Sequence, residues 1–86
     1  MKILARRKFY KAFKKIPKKL QEKFYEQLAI IQKDITDKRL NNHALTGKYL
    51  GYRSFNIAGD WRVIFEQTDN ETIELVNIGT HSQLYG

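Results

Sequence analysis

Apolar side chains recur at helical spacing in the first 35 residues of the chain. Phe9, Phe13 and Ile16 are four and three residues apart, which predicts a short amphipathic helix from Arg7 onward. Pro17 suits the first turn of a second helix, because that turn leaves its amide hydrogens unpaired and proline has none. The second helix is predicted from a longer apolar stripe, formed by Leu20, Phe24, Leu28, Ile31 and Ile35.

The rest of the chain has the composition of strands. Residues 3–5 are apolar and predict a short first strand, whereas residues 36–48 are polar without a period and predict a loop. Beyond this loop, aromatic and β-branched residues dominate three segments. We therefore predict three further strands, at Tyr49–Ile57, Trp61–Glu66 and Thr72–Ile78.

Short links between these segments predict how the strands pair. Residues 58–60 and 67–71 are of hairpin length, so the three strands should run antiparallel. Gly79 is expected to end the last strand, and residues 80–86 are too few for an element of their own. The predicted fold is a single α+β domain over residues 1–86, in the order β-α-α-β-β-β. A helical hairpin would pack on a mainly antiparallel, twisted sheet.

Charge is distributed unevenly along the 86 residues. The net charge is +7, but residues 1–25 hold ten basic side chains and one acidic one, and residues 26–86 carry a net −2. This skew favours a polyanionic partner such as nucleic acid. The alternative is that the lysines form the solvated faces of two amphipathic helices. The candidate phosphate contacts on these helices are Lys8, Lys11, Lys15, Lys18, Lys19 and Lys23.

Composition also excludes several kinds of site. The chain has no cysteine, so disulfides and thiolate metal sites are excluded. His43 and His81 are 38 residues apart without a carboxylate at helical spacing, so we expect neither a metal nor a cofactor. The longest apolar run, Leu28–Ile31, is too short to span a membrane, and no apolar segment of a signal peptide follows the N-terminus. These features predict a cytoplasmic protein.

Two arginines fall on neighbouring predicted strands. Arg53 and Arg62 can clamp one phosphate between their guanidinium groups, as rigidly held cations do in phosphoryl chemistry. The alternative is that they form cross-strand ion pairs with Glu66 or Glu74. Trp61 similarly has two interpretations, as a core residue or as a platform on which a base stacks.

The C-terminal tail and one hairpin turn add titratable groups. His81 and Tyr85 follow the last predicted strand, where a histidine can act as general acid or base and a tyrosine can contact a base or phosphate. The alternative is a surface histidine and a packing tyrosine. Asp60 lies in the predicted turn between two strands, and a turn role alone explains its presence.

Four motifs in the second half of the chain resemble the RelE/ParE superfamily of bacterial toxins, and within it the RelE/StbE or YafQ-like branch. They are His-Ala-Leu-x-Gly from His43, Gly51–Phe55, Gly59–Phe65 and Ile78–Tyr85. The resemblance implies a RelE-like fold and a toxin of a type II toxin–antitoxin pair. It also implies a ribosome-dependent endoribonuclease that cuts mRNA in the A site. The 2′-hydroxyl of the cut nucleotide attacks the adjacent phosphate, and no metal is needed.

Individual roles follow from the same resemblance. His81 in the Gly-Thr-His motif matches a catalytic general acid or base, and Arg62 matches an arginine that stabilises charge on the phosphate. Arg53 is a plausible neighbour of that arginine in contact with RNA. The other positions that match functional residues of the branch are His43, Asp60, Trp61 and Tyr85.

The chain departs from the YafQ-like pattern at two positions. Asn56 stands where that branch often has histidine, and Asn77 stands where it often has arginine. One acid–base group and one cation of the pattern are therefore absent, and Arg62 can replace the cation.

The implied partners are the ribosome, its rRNA, mRNA and a cognate antitoxin with an acidic, partly disordered tail. Two alternatives remain open at this point. One is a ParE-like inhibitor of DNA gyrase without nuclease activity, and the other is a non-toxic RNA-binding or ribosome-binding module. Codon-phased mRNA cleavage distinguishes the nuclease from both.

Overall fold

Three helices and five strands build the chain, in a computed structural model that describes residues 1–86. The strands are β1 Lys2–Ala5, β2 His43–Ala44, β3 Arg53–Ala58, β4 Trp61–Asp69 and β5 Thr72–Thr80. The helices are α1 Arg7–Phe13, α2 Lys18–Lys33 and α3 His81–Tyr85, with 3₁₀ turns at Lys38–Leu40 and Gly47–Tyr49. None of the helices combines the length and the apolar character needed to cross a membrane.

All five strands form one sheet, in the order β1-β5-β4-β3-β2. β1 runs parallel to β5, and the other three pairings are antiparallel. The α+β class and the mainly antiparallel sheet predicted from the sequence are confirmed. β5 lies between the N-terminal strand β1 and its hairpin partner β4, so residues from both ends of the sequence meet on this sheet.

The main core lies between the sheet and the helical hairpin of α1 and α2. Phe9 from α1 and Phe24 from α2 are buried with ring centroids 5.5 Å apart, and the Phe24 ring also packs against the Phe55 ring of β3. Burying each such side chain stabilises the fold by about 1.5–3 kcal/mol. The helices are shorter than the apolar stripes predicted, since Ile16 and Ile35 pack against the core from outside α1 and α2.

A smaller core occupies the opposite face of the sheet. Leu45, Ile64 and Leu84 are buried there, and Tyr49 and Tyr85 are among the half-buried residues packed against them. Leu84 belongs to α3, so the prediction that residues 80–86 form no element is wrong. The tail folds because its one buried leucine covers this face of the sheet.

The polar segment 36–48 is also more structured than predicted. It contains the 3₁₀ turn Lys38–Leu40, with Leu40 fully buried, and the two-residue strand β2. β3 begins at Arg53 rather than at Tyr49, because residues 47–49 form the second 3₁₀ turn. β5 continues through Gly79 to Thr80, so Gly79 does not end the strand.

Arg6, rather than Arg53 or Arg62, forms ion pairs with Glu66 and Glu74. Glu66 and Glu74 lie directly opposite each other on β4 and β5, where two like charges repel. Arg6 donates to both carboxylates, at 3.2 Å to Glu66 and 3.0 Å to Glu74. The alternative of ion pairs between these glutamates and Arg53 or Arg62 is therefore wrong.

Candidate active site

A cleft of about 300 Å³ opens on the face of the sheet that α1 and α2 leave uncovered. We call it the histidine cleft; it is lined by His43, Ala44, Leu45, Thr46, Arg62, His81 and Tyr85. Four of the five predicted catalytic residues thus meet in one place, although His43 and Tyr85 are 42 positions apart in the chain. Strands β2 and β4 and helix α3 supply them.

His43 is oriented by the backbone immediately before it. Asn41 adopts a left-handed conformation (φ 49°), and its carbonyl oxygen lies 2.9 Å from His43 Nδ1. Because a carbonyl can only accept, Nδ1 carries the hydrogen in this contact. In the neutral ring Nε2 then holds the lone pair, and it lies 3.5 Å from the hydroxyl of buried Ser54.

Arg62 is held by the neighbouring strand. It lies opposite Asn56 of β3, and its Nη1 donates to Asn56 Oδ1 at 2.5 Å. On its other side Arg62 faces Gly79 of β5. A Cβ at Gly79 would lie 3.0 Å from Gln83 Oε1, so the glycine allows α3 to fold back closely beside the arginine.

α3 begins with a capping box. Thr80 Oγ1 accepts from the Gln83 amide at 3.2 Å, and Gln83 Oε1 accepts from the Thr80 amide at 2.9 Å. The amide of His81 donates to the carbonyl of Asp60 at 2.9 Å, which ties the helix to the β3–β4 turn. His81 and Tyr85 are one helical turn apart, and their ring centroids are 4.7 Å apart.

The hydroxyl of Tyr85 is buried and has no hydrogen-bond partner. Leaving a buried hydroxyl unpaired costs about 1–3 kcal/mol, so native structures seldom retain one without a functional reason. Tyr85 lines the histidine cleft with other atoms of its side chain, so a ligand could reach the hydroxyl only if the ring turned.

Three other predicted site residues lie outside the cleft. The side chain of Asp60 is exposed in the turn, although its carbonyl contacts His81. Trp61 packs against the main core on the helical side of the sheet. Arg53 lies on the opposite face of β3 from Asn56, the partner of Arg62. Its Nε donates to Asn42 Oδ1 at 2.8 Å. The structure therefore does not bring the two arginines together as a phosphate clamp.

A second cleft of about 490 Å³ lies on the other side of α3. We call it the lysine cleft, because Lys8 and Lys11 of α1 and Lys15 just after α1 line it. Its polar and aromatic residues are Lys8, Lys11, Lys15, Trp61, Asn77 and Gln83. Lys18, Lys19 and Lys23 are exposed near the start of α2, and Lys23 Nζ lies 3.6 Å from a Glu26 carboxylate oxygen. The predicted lysines thus divide between a cleft and an open helix surface.

Sequence reasoning missed the residues that orient the ionisable groups. Asn41 and Asn56 contact His43 and Arg62, but neither contact follows from spacing alone. The capping box Thr-His-Ser-Gln that begins α3 was a readable signal in the sequence. The structure positions no group of three or more His, Cys, Asp or Glu to hold a metal ion.

Comparisons with known proteins agree with this architecture. Residues 1–86 match the family model described as bacterial toxin of type II toxin–antitoxin system, YafQ. No curated protein sequence matches the chain.

Solved structures show the same fold. YafQ from Escherichia coli strain BL21(DE3) superposes with a TM-score of 0.81 at 22% identity, over 98% of this chain and 97% of that one. The E. coli DinJ–YafQ toxin–antitoxin complex gives 0.79 at 23% identity, over 98% and 96%. The RelB–RelE antitoxin–toxin complex from Methanococcus jannaschii gives 0.74 at 19% identity, over 95% and 94%. The chain therefore belongs to the YafQ family of toxins of bacterial type II toxin–antitoxin systems.

Proposed function

We propose that this toxin is a ribosome-dependent endoribonuclease, which acts in the cytoplasm and cuts mRNA in the ribosomal A site. The observation that carries the proposal is the convergence of two histidines, one arginine and one tyrosine on one cleft. These groups are sufficient for metal-independent cleavage of RNA, which needs a base, an acid and stabilisation of phosphate charge.

His43 is suited to the role of general base. The Asn41 carbonyl holds the hydrogen on Nδ1, so Nε2 carries the lone pair, and the 2′-hydroxyl of the substrate would replace its long 3.5 Å contact with Ser54 Oγ. Nε2 takes the hydroxyl proton while the 2′-oxygen bonds to the adjacent phosphorus. The bond from phosphorus to the 5′-oxygen then breaks, which leaves a 2′,3′-cyclic phosphate on the upstream RNA.

His81 is suited to the role of general acid. The protonated imidazole donates to the departing 5′-oxygen, which leaves as a free hydroxyl, so the proton lost at the 2′-position is replaced at the 5′-position. The exposed position of His81 at the first turn of α3 allows the downstream RNA to reach it. Asp60 contributes through its carbonyl, which fixes the His81 backbone.

Arg62 and Tyr85 are suited to stabilising the pentavalent phosphate. Asn56 holds the Arg62 guanidinium in place, so little reorganisation is needed when negative charge develops. The buried Tyr85 hydroxyl would have to turn into the cleft to donate to a phosphate oxygen, and there it would gain the partner that it lacks. Removal of one such donor typically lowers the rate by about 10²–10³.

The lysines and Trp61 would bind RNA away from the cleavage site. Lys8, Lys11 and Lys15 can contact phosphates along the lysine cleft, where Trp61 offers a partly exposed ring to a base. The lysines of α2 and Arg53 extend this basic surface toward rRNA. Phosphate contacts of this kind position the RNA without reading its sequence.

A cognate antitoxin is the second proposed partner. The DinJ–YafQ and RelB–RelE structures contain toxins in complex with antitoxins, which supports an equivalent partner here. An acidic, partly disordered segment of the antitoxin would complement the net charge of +9 on residues 1–25.

The test is the variant His81→Ala, in which loss of the general acid should lower mRNA cleavage by ~10²–10⁴. Cleavage is measured by mapping mRNA 5′ ends after brief expression, with Ser82→Ala on the same helix as the control. Undiminished cleavage by His81→Ala would contradict the assignment. DNA breaks with intact mRNA would indicate a gyrase inhibitor, and ribosome binding without cleavage or growth arrest would indicate a binding module.

A further inference from the structure

α3 depends on contacts from outside the helix. It has only five residues, and helices this short are unstable alone, because their last carbonyl groups lack partners within the helix. Tyr49 supplies one of these partners, since its hydroxyl donates to the Leu84 carbonyl at 3.1 Å. Apart from the cap residue Thr80, it is the one side chain outside α3 that hydrogen-bonds to the helix backbone.

The ring of Tyr49 also supports the catalytic side chains. It meets the Tyr85 ring edge-on, with centroids 5.6 Å apart and an interplanar angle of 87°. Tyr85 in turn packs on His81 at 4.7 Å. A continuous row of rings therefore leads from Tyr49 to the His81 imidazole, although Tyr49 itself does not line the histidine cleft.

Tyr49 is anchored firmly enough to serve as a support. Its carbonyl accepts from the Tyr52 amide at 2.9 Å, and the two rings lie 6.5 Å apart. The Arg6 guanidinium lies 5.7 Å from the centre of the Tyr52 ring, and Arg6 is itself bonded to two glutamates. A series of contacts through Arg6, Tyr52 and Tyr49 thus connects strands β4 and β5 to α3.

We infer that Tyr49 is a positioning residue for the cleavage reaction: it fixes α3 so that the His81 imidazole and the Tyr85 ring keep their positions at the histidine cleft. This inference rests on the proposed function. Tyr49 touches no reacting atom and acts through Leu84 and Tyr85. Its loss should therefore reduce the rate of the chemical step and leave substrate binding, which uses the lysines, unchanged.

The test compares Tyr49→Phe, which removes only the hydroxyl, with wild type. We expect kcat for mRNA cleavage on ribosomes to fall about 3- to 10-fold, the range expected for one hydrogen bond, with KM unchanged. Nuclear Overhauser effects between the His81 and Tyr85 rings should weaken, and the amide of Gly86 should exchange faster by a similar factor. Tyr25→Phe is the matched control, because Tyr25 is exposed on α2 and remote from α3.

Each outcome distinguishes this inference from the proposed function. An unchanged kcat in Tyr49→Phe, or equal changes in kcat and KM, would overturn the positioning role. Tyr49→Leu, which also removes the ring, should lower kcat further than Tyr49→Phe does. Equal losses in the two variants would show that the ring contacts do not help to position α3. If wild type cleaves nothing, the proposed function fails. The ring contacts measured by NMR then still decide whether Tyr49 positions α3.

Discussion

A single contact from a neighbouring residue orients each of two ionisable side chains in the histidine cleft. The Asn41 carbonyl fixes which nitrogen of His43 carries the hydrogen, and the Asn56 side chain aligns the Arg62 guanidinium. Neither contact supplies chemistry, but each restrains how one of these side chains is presented in the histidine cleft. Orientation of this kind contributes to rate because the groups need no rearrangement during the reaction.

We predict that Asn56→Ala lowers mRNA cleavage about 10-fold, because Arg62 then loses its partner and samples other rotamers. Arg62→Ala should have a larger effect, about 10²–10³-fold. The measurement is single-turnover cleavage on programmed ribosomes. Asn70→Ala, in the exposed β4–β5 turn, is the control.

The double variant makes this prediction specific. If Asn56 acts through Arg62, adding Asn56→Ala to Arg62→Ala should lower the rate no further. Additive losses would show that Asn56 acts independently of the arginine, and the assignment of its role would be wrong.

The motifs identified His43, Arg62, His81 and Tyr85 from the sequence, and the structure brings these four together. The sequence did not identify Asn56 as their support. In the sequence, Asn56 was notable only because the YafQ-like branch often has histidine at this position. Its contact with Arg62 depends on the cross-strand register that places the two residues opposite each other. The sequence also allowed ion pairs between Arg53 or Arg62 and the glutamates, and Arg6 forms them instead.

Elements with a repeated apolar face could be predicted, and two of the short elements, β2 and α3, could not. α2 and the three antiparallel strands repeat their apolar residues often enough to reveal a period. β2 has two residues and α3 has five, which is too few for any period to be seen. Both short elements carry catalytic candidates, so the least predictable parts of the fold build the histidine cleft.

The 3₁₀ turn Lys38–Leu40 precedes His43 and contains the buried Leu40, so its stability bears on the cleft. The contribution of its capping residue to stability can be tested by varying the pH. Asp37 caps this turn and bonds to the Arg39 guanidinium, and these contacts lower the pKa of Asp37 to about 2 from an ordinary value of 3.8. A carboxylate with a lowered folded pKa stabilises the fold above its unfolded pKa, and this stabilisation is lost as the pH falls through the folded pKa.

We therefore predict that Asp37→Asn lowers the urea midpoint at pH 5, and that the difference from wild type disappears as the pH falls from 4 toward about 2. The pKa of Asp34 is also lowered, by bonds from Thr36, and the charge of Asp37 opposes this lowering only as the smallest contribution, so Asp34 adds little to the difference between the two proteins. A difference that stays constant over this range would show that the charge of Asp37 does not stabilise the turn.

At the scale of the whole molecule, α3 separates two clefts of different chemistry. His81 and Tyr85 face the histidine cleft, and Gln83 and Leu84 face the lysine cleft. The charge skew of the sequence predicted a polyanionic partner but not this arrangement, since the position of the α1 lysines beside Trp61 depends on how α1 packs over β5. An RNA strand that crosses α3 would meet cations on one side and the proposed catalytic groups on the other.

This arrangement predicts how the protein binds ribosomes in salt. Replacing Lys8, Lys11 and Lys15 with glutamine should reduce the slope of log Kd against log salt by about 2–3, because each lost phosphate contact changes it by roughly 0.7–0.9. The measurement is ribosome binding between about 50 and 200 mM salt, in a His81→Ala background that leaves mRNA intact. The matched control replaces Lys2, Lys33 and Lys38, which lowers the net charge by the same amount but leaves both clefts unaltered. If the two triple variants lose equal slope, net charge rather than the lysine cleft binds the RNA. If only the variant at Lys8, Lys11 and Lys15 loses slope, α3 lies between the surface that binds the RNA and the residues proposed to cut it.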